Sequence, residues 1–505
     1  MRWRLSDTPL FLQLTLLASL SMYAPALHAL SWDNHHEARV FFYAGTLGIF
    51  VSLLFVITLS AGRQRRRGGL GNLASVVSAY FFLPVLLAIP FYEAVQTTQF
   101  LNAYFEMVSA FTTTGAPLFE PGRLSGTMHL WRAQVGWLGG LFIWVSAAAV
   151  LAPLALGGFE VTASAEPGRG EVPLDAYEPM NEAHRLSLTV LRLAPLYAGL
   201  TAVLAICLMI TGETPLVAAI HAMSTLSTSG ISATGGLEGS EAGLRGEFLV
   251  FLFLFFGLSR LTFSTDTVTT GRRGLHNDPE FRMGLLIVLG VTALLFVRHW
   301  VASFDFAYEE TVGAALRATW GSLFTVLSFL TTTGFESADW ESSRAWSGLG
   351  SSGLILLGLS LIGGGVATTA GGVKLLRVYA LYLNGVREME RLVHPSSVGR
   401  ASNQSRRIRS RGAFIAWIFF MLFALSLALL TALLTAMGTS FENAIILAIS
   451  ALSTTGPLAH SAAQEPIMLA QLGEAAKLVL AAAMVVGRLE TLAIVALLNP
   501  ALWRD

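Results

Sequence analysis

The sequence predicts an all-α polytopic membrane protein. Four parallel repeats, each a span, a pore helix, a filter loop and a second span, surround a pseudo-fourfold pore, preceded by about two extra N-terminal helices. Three observations predict this. The 505 residues are 54% hydrophobic and only 13% charged, where soluble domains carry roughly 25% charge. Apolar runs of about 20 residues, the length a helix needs to cross hydrocarbon, recur along the whole chain. One short phrase, Ser-x-[Phe/Leu]-[Ser/Thr]-Thr-[Ser/Thr]-Gly, occurs four times: SAFTTTG at Ser109–Gly115, STLSTSG at Ser224–Gly230, SFLTTTG at Ser328–Gly334 and SALSTTG at Ser450–Gly456.

Runs long enough to span fall near 9–30, 39–60, 72–95, 130–157, 187–211, 246–270, 281–303, 346–383, 412–436 and 474–499. The first fits either a cleaved signal peptide, with Arg2, Arg4 and the small-residue ending Ala26–Ala29, or a retained helix. The next span has the same orientation in both cases. Shorter apolar segments near 100–111, 214–227, 312–330 and 440–452 each lead into one copy of the phrase. The first, second and fourth are too short to cross, as expected of re-entrant helices; the third is longer.

Two crossings per repeat return the chain to its starting side, so the repeats are parallel and all four polar loops share one face, unlike inverted-repeat transporters. The expected divisions are an N-terminal two-helix segment over 1–68, then repeats over 69–160, 161–275, 276–385 and 386–505. The second repeat begins with a cytoplasmic link, the third has a broken second span, and the fourth begins with a basic link. Orientation follows from Lys/Arg bias. Arg63, Arg65, Arg66 and Arg67, then Arg272, Arg273 and Arg282, then Arg387, Arg391, Arg400, Arg406, Arg407, Arg409 and Arg411 mark cytoplasmic links. The four loops then face outward.

Net charge is zero, which gives nucleic acid no electrostatic footprint. The single cysteine, Cys207, excludes a disulfide within the chain and leaves no cysteine metal set. His35 and His36 form no convincing metal set.

The repeated phrase has a physical reading. A bare cation crossing hydrocarbon needs oxygens in place of its water shell, and inward-turned backbone carbonyls supply them. Irregular backbone at membrane depth is tolerated where it lines a cavity or is buried in protein. Glycine reaches backbone angles that other residues avoid, which is the expected reason for Gly115, Gly230, Gly334 and Gly456. The preceding hydroxyls satisfy neighbouring amides or hold the loop from behind. The half-helices point their negative C-terminal dipole ends toward the cavity. The competing reading is that such loops merely cap helices; four copies in matching contexts weigh against it.

A second feature is LIGGGVATTAGGVKLLR at Leu361–Arg377. Gly363, Gly364, Gly365, Gly371 and Gly372 would break a helix, and Lys374 follows. Close helix packing through small residues is one reading. The other is a flexible intramembrane loop beneath the filter that opens and closes the pore. A phosphate-binding loop is excluded, because Val373 precedes Lys374 and Leu375 follows it. A third feature is Arg488 within the last span. Intramembrane charge is costly and faces a cavity or a partner. Arg488 either pairs with Glu490 or snorkels, or it faces the conduction path and repels a cation. Glu106, His221 and Glu442 lie on or near the half-helices, where they anchor the helices or tune the outer field.

These residues resemble the Trk/Ktr/HKT superfamily of potassium transporters, and within it the membrane subunits of bacterial Trk systems. The resemblance spans essentially the whole chain. It rests on APAL (Ala24–Leu27), FTTTG (Phe111–Gly115), WRAQVGWLGG (Trp131–Gly140), NDPEFR (Asn277–Arg282), TTTGF (Thr331–Phe335), IGGGVATTAGGVKLLR (Ile362–Arg377), RLVHP (Arg391–Pro395), GRLE and NPALWRD.

The resemblance implies carbonyl coordination of potassium, the substrate, at Thr113, Thr114 and Gly115, at Thr228, Ser229 and Gly230, at Thr332, Thr333 and Gly334, and at Thr454, Thr455 and Gly456. It implies gating by the Gly363–Gly372 loop with Lys374, and obstruction of the pore by Arg488. It further implies a bacterial inner-membrane homodimer in contact with lipid, its filter facing the periplasm, controlled by a cytosolic nucleotide-binding regulatory subunit. No cofactor would sit on this chain. Two departures stand out: STTG in the fourth loop where relatives have Asn-Asn-x-Gly, and Gly365 where Cys is common. Gly115, where the family has Ser in sodium-permeable members, favours potassium. An intramembrane enzyme is disfavoured, since no activating His or Lys accompanies all four copies. A proton- or sodium-coupled secondary transporter is the alternative.

Overall fold

The computed structural model describes residues 10–60, 69–152, 154, 156, 158, 182–259, 278–302, 312–349, 352–394 and 410–498. Among them are helices and turns and no strand. Most of the basic links used to orient the chain lie outside these residues.

The N-terminal run forms two helices, α1 (Leu10–Ser21) and α2 (Tyr23–Ser31). Pro25 explains the break, because it lacks an N–H and its ring crowds the carbonyl four residues earlier. That carbonyl, on Ser21, accepts instead from Gln134 Nε2 at 2.7 Å. The next helices are α3 (His35–Ser60), α4 (Gly69–Val95) and the short α5 (Phe100–Phe111). α6 (Gly126–Ser146) continues through a π-helical turn at Ala147–Leu151.

The same order follows with α7 (Glu182–Ile210), α8 (Pro215–Ser227) and α9 (Gly243–Leu254). Then come α10 (Pro279–Ala302), α11 (Val312–Leu330), α12 (Trp340–Ser347), α13 (Gly353–Ile362) and α14 (Leu375–Val393). The chain closes with α15 (Ser410–Ala436), α16 (Phe441–Leu452), α17 (Leu458–Ser461), α18 (Glu474–Leu489) and α19 (Thr491–Leu498).

Eight helices among the described residues are long and apolar enough to cross a membrane. One is α11, whose 19 residues extend about 28 Å at 1.5 Å per residue. The expected continuous span at 474–499 is a correction: it breaks at Glu490, whose φ is +67°. The last part of the run expected at 246–270 lies outside the described residues.

Apolar side chains are both buried and exposed, and hydroxyls gather at the centre. Leu47, Phe50, Leu286 and Leu425 are exposed, while Thr112, Thr114, Ser227, Ser229, Thr331, Thr333, Ser453 and Thr455 are fully buried. An apolar rim around a hydroxyl-rich centre suits lipid outside and a polar path inside. This is a multi-pass membrane protein. One apolar cluster gathers around Phe41, Tyr80, Phe105, Trp131 and Met484, and another around Tyr197, Phe251, Phe324 and Leu356.

Candidate functional site

α5, α8, α11 and α16 each end in one copy of the phrase, and the four loops share one backbone turn up to the residue before the glycine. The Thr two residues before each Gly is left-handed: φ is +54° at Thr113, +52° at Thr228, +58° at Thr332 and +53° at Thr454. The amide before each Gly donates to the carbonyl of the opening Ser: Thr114 to Ser109 at 2.9 Å, Ser229 to Ser224 at 3.0 Å, Thr333 to Ser328 at 2.9 Å and Thr455 to Ser450 at 2.9 Å. The hydroxyls on either side of the left-handed Thr bond each other: Thr112 with Thr114 at 2.8 Å, Ser227 with Ser229 at 3.0 Å, Thr331 with Thr333 at 3.2 Å and Ser453 with Thr455 at 3.2 Å. The pattern [Ser/Thr]-Thr-[Ser/Thr] thus encodes a side-chain clasp around one turned residue, and a helix cap alone does not account for it.

The loops touch in cyclic order. A Cβ on Gly115 would strike Ser229 O, one on Gly230 would strike Thr333 O and, across the ring, meet the Pro457 ring at 2.9 Å, and one on Gly334 would meet the Pro457 ring at 2.8–3.0 Å. One on Gly456 would strike the backbone of Ala116, and Gly456 N donates to Thr114 O at 2.6 Å, which closes the ring. A carbonyl has two lone pairs, so Thr114 O keeps one free. The glycines divide in two. Gly115, Gly230 and Gly334 have φ of +66°, +66° and +81°. Gly456 is absent from the positive-φ residues, so the expected conformational reason does not apply there. It is glycine because its neighbour's backbone leaves no room for a side chain.

Behind the ring, the residue nine positions before each Gly holds the segment that follows it. Glu106 Oε2 accepts from Leu118 N at 3.0 Å, and Arg132 Nε bridges Glu106 Oε1 at 2.5 Å. His221 Nε2 hydrogen-bonds with Ser232 Oγ at 2.9 Å. Thr325 Oγ1 accepts from Ser337 N at 3.3 Å. The fourth equivalent is Leu447, which holds nothing. Glu442, by contrast, is exposed at the start of α16.

The segment 363–374 separates α13 from α14 and packs against the ring. Gly363, at φ +74° and ψ −176°, occupies a region essentially restricted to glycine. The segment folds back on itself: Val373 N donates to Leu361 O at 3.0 Å, Lys374 N to Ile362 O at 2.9 Å and Leu375 N to Gly364 O at 2.9 Å. It contacts three of the four loop elements. Thr369 Oγ1 donates to Leu226 O at 3.0 Å, Gly371 N donates to Thr332 Oγ1 at 2.7 Å, and Gly371 abuts Ser453 and Thr454. Val366 N donates to Glu280 Oε1 at 2.9 Å, and Gly365 N to Gly257 O at 3.0 Å.

A cavity beside this segment is lined by Ala147, Gly371, Lys374, Gly487, Arg488 and Glu490, among others. Lys374 Nζ donates to Ala370 O. Glu490 does not pair with Arg488. It takes Arg377 Nη2 at 2.5 Å, and the Arg377 guanidinium lies 3.7 Å from the centre of the Phe419 ring. Arg488 is buried with the Tyr80 hydroxyl beside its guanidinium, and its Nε and Nη2 make no hydrogen bond of ordinary geometry. Lys374 and Glu490, with φ of +85° and +67°, are strained for residues carrying a Cβ.

Sequence reasoning missed the Arg132–Glu106 and Arg377–Glu490 pairs and the carboxylate of Glu247, which meets Trp320, Ser337 and Ala338. The charges were visible in apolar runs, but their partners were not.

A multi-pass helical bundle whose four helix-ended polar loops close into one ring belongs to the class of membrane cation-transport proteins. A family model described as "TrkH: Cation transport protein" matches residues 248–503, and the chain belongs to this transport family. It is 29% identical over 513 residues, 97% of each chain, to a "Trk system potassium uptake protein TrkH" of Vibrio parahaemolyticus. It is 28% identical over 500 residues, 97% of this chain and 98% of the other, to the protein of the same description in Escherichia coli. The crystal structure of the potassium transporter TrkH from Vibrio parahaemolyticus superposes with a TM-score of 0.80 over 99% of both chains, at 26% identity.

Proposed function

We propose that this protein takes up potassium across the bacterial inner membrane through the ring of four loops. The backbone oxygens of Thr113–Gly115, Thr228–Gly230, Thr332–Gly334 and Thr454–Gly456 replace the ion's water shell. The C-terminal ends of α5, α8, α11 and α16 add partial negative charge. The segment 363–374, with Gly363, Gly364, Gly365, Gly371, Gly372 and Lys374, is the gate, and Arg488 is a fixed positive charge in the path beneath it. Divisions after residues 68, 160, 275 and 385 separate the N-terminal helices and the four repeats. The loops face the periplasm, the protein works as a homodimer, and a cytosolic nucleotide-binding subunit docks on the basic links and controls the gate.

The observation that carries this reading is the mutual contact of four loops that share a left-handed Thr, closed by Gly456 N to Thr114 O. The Trk potassium-uptake relatives and the matching solved structure support the choice of ion. The test is rubidium and potassium uptake in a potassium-transport-deficient bacterium expressing this chain with its cognate regulatory subunit. Uptake that restores growth at low potassium is expected. Correct membrane insertion with neither ion accumulating would refute the proposal.

A further inference from the structure

Three of the four loops carry a buried polar latch at the position nine residues before the glycine, but the latches are unequal. The first is a carboxylate, Glu106; the second an imidazole, His221; the third only a hydroxyl, Thr325, in a longer bond of 3.3 Å. The third loop receives a carboxylate from elsewhere. Glu247 sits on α9, the helix that follows the second loop, and is 2% exposed. Its Oε2 accepts from Ser337 Oγ at 2.7 Å and from Trp320 Nε1 at 2.9 Å, and its Oε1 accepts from Ala338 N at 2.7 Å. Ser337 and Ala338 form the segment that leaves Gly334, and Trp320 lies on α11, the helix that leads into it. One side chain from the second repeat therefore ties both ends of the third loop.

Two physical points separate Glu247 from a generic buried contact. Among the described residues it has no ion pair, whereas Glu106 has Arg132. Its charge is held only by neutral donors, so its field is not cancelled locally, and hydrogen bonds to an ionised acceptor are the strong ones. Its partners also lie three and four residues past Gly334, so slack in the latch passes to the carbonyls of Thr332 and Thr333.

We infer that Glu247 is a positioning residue that sets the ion discrimination of the third loop from the neighbouring repeat. The inference rests on the reading of the four loops as a potassium filter. The number and orientation of carbonyls offered to the ion set the balance between potassium and sodium, and a held loop fixes both. Glu247 supplies that hold where the loop's own helix offers only Thr325. Glutamine at this position is nearly isosteric but turns one acceptor into a donor facing Ala338 N–H or Trp320 Nε1–H. Aspartate keeps the charge and shortens the reach.

The test is the potassium-to-sodium permeability ratio of the full-length protein in planar bilayers or proteoliposomes, measured for wild type, Glu247→Gln, Glu247→Asp and Ser337→Ala. Glu247→Gln is expected to lower the ratio roughly five-fold, equivalent to about 1 kcal/mol. Glu247→Asp should recover part of it, and Ser337→Ala should lose about two-fold, near 0.4 kcal/mol. A residue that merely stabilises the bundle would reduce the yield of folded protein and leave the ratio of the surviving protein unchanged. That result, a wild-type ratio in inserted Glu247→Gln, overturns the inference while leaving the filter intact. If Glu247→Gln fails to insert, Ser337→Ala decides alone, and an unaltered ratio there is equally fatal. Wild-type protein that conducts no cation would remove the filter reading and this inference together.

Discussion

Arg488 is the residue whose surroundings argue most directly for a role. A buried guanidinium with two nitrogens unbonded is costly, and Glu490, the acid two residues along, is committed to Arg377. A unit charge about 6 Å from a passing cation, at an effective dielectric of ~20, raises its energy by about 3 kcal/mol. Arg488→Gln is therefore expected to raise basal potassium flux in proteoliposomes by one to two orders of magnitude, and Arg488→Lys to keep it low. Equal flux in all three would remove Arg488 from the path. At this scale the sequence was partly legible. A mid-span arginine announces itself, and so does the repeated phrase, but the pairing of its hydroxyls with each other rather than with amides emerges only in the fold. The Arg377–Glu490 bridge does not, because it joins residues 113 positions apart and no local periodicity reports such a pair.

Among the elements, the interrupted spans are the informative ones. Five glycines between Leu361 and Arg377 foretold the first interruption, since each costs about 1 kcal/mol in a helix. The break at Glu490 was not foretold, because neither glycine nor proline stands there and the strain is held by the buried bridge to Arg377. Likewise α11 is long enough to cross by composition, yet it ends in the same clasp as its three shorter counterparts. Only the shared phrase, not length, identifies its equivalence. The segment 363–374 docks on the second loop's helix through Thr369 Oγ1 and Leu226 O. Thr369→Val keeps the shape and deletes that bond. A hydrogen bond contributes about 1 kcal/mol net, so the docked state should lose roughly five-fold in population. Basal flux should rise by a similar factor without change in ion preference. Flux at the wild-type level would show that the segment does not restrain conduction.

For the whole molecule the open question is what drives transport, and the buried acids speak to it. A proton-coupled carrier needs a carboxylate at membrane depth that can bind and release a proton along the path. Each deeply buried glutamate among the described residues is already engaged: Glu37 by Ser125, Glu106 by Arg132 and Leu118, Glu213 by Ser240 and Ala242, Glu247 by Trp320, Ser337 and Ala338, Glu280 by Val366, and Glu490 by Arg377. Glu336, partly exposed two residues past Gly334, stands apart: burial raises its pKa, although Ser461 bonds its carboxylate. In this conformation the deeply buried acids hold backbone and loops in place. The membrane potential suffices without them. It supplies about 2.3 kcal/mol per charge per 100 mV, against about 1.4 kcal/mol for each tenfold concentration ratio. Uncoupled entry at 100 mV thus sustains close to a fifty-fold potassium gradient. The reversal potential in proteoliposomes should follow the potassium gradient alone, and one unit of imposed pH difference should leave it fixed. A one-to-one proton symporter would instead shift it by about 30 mV, since a pH unit is worth about 1.36 kcal/mol spread over two charges. A shift of that size would mean that an acid near the path, Glu336 first among them, exchanges a proton during transport.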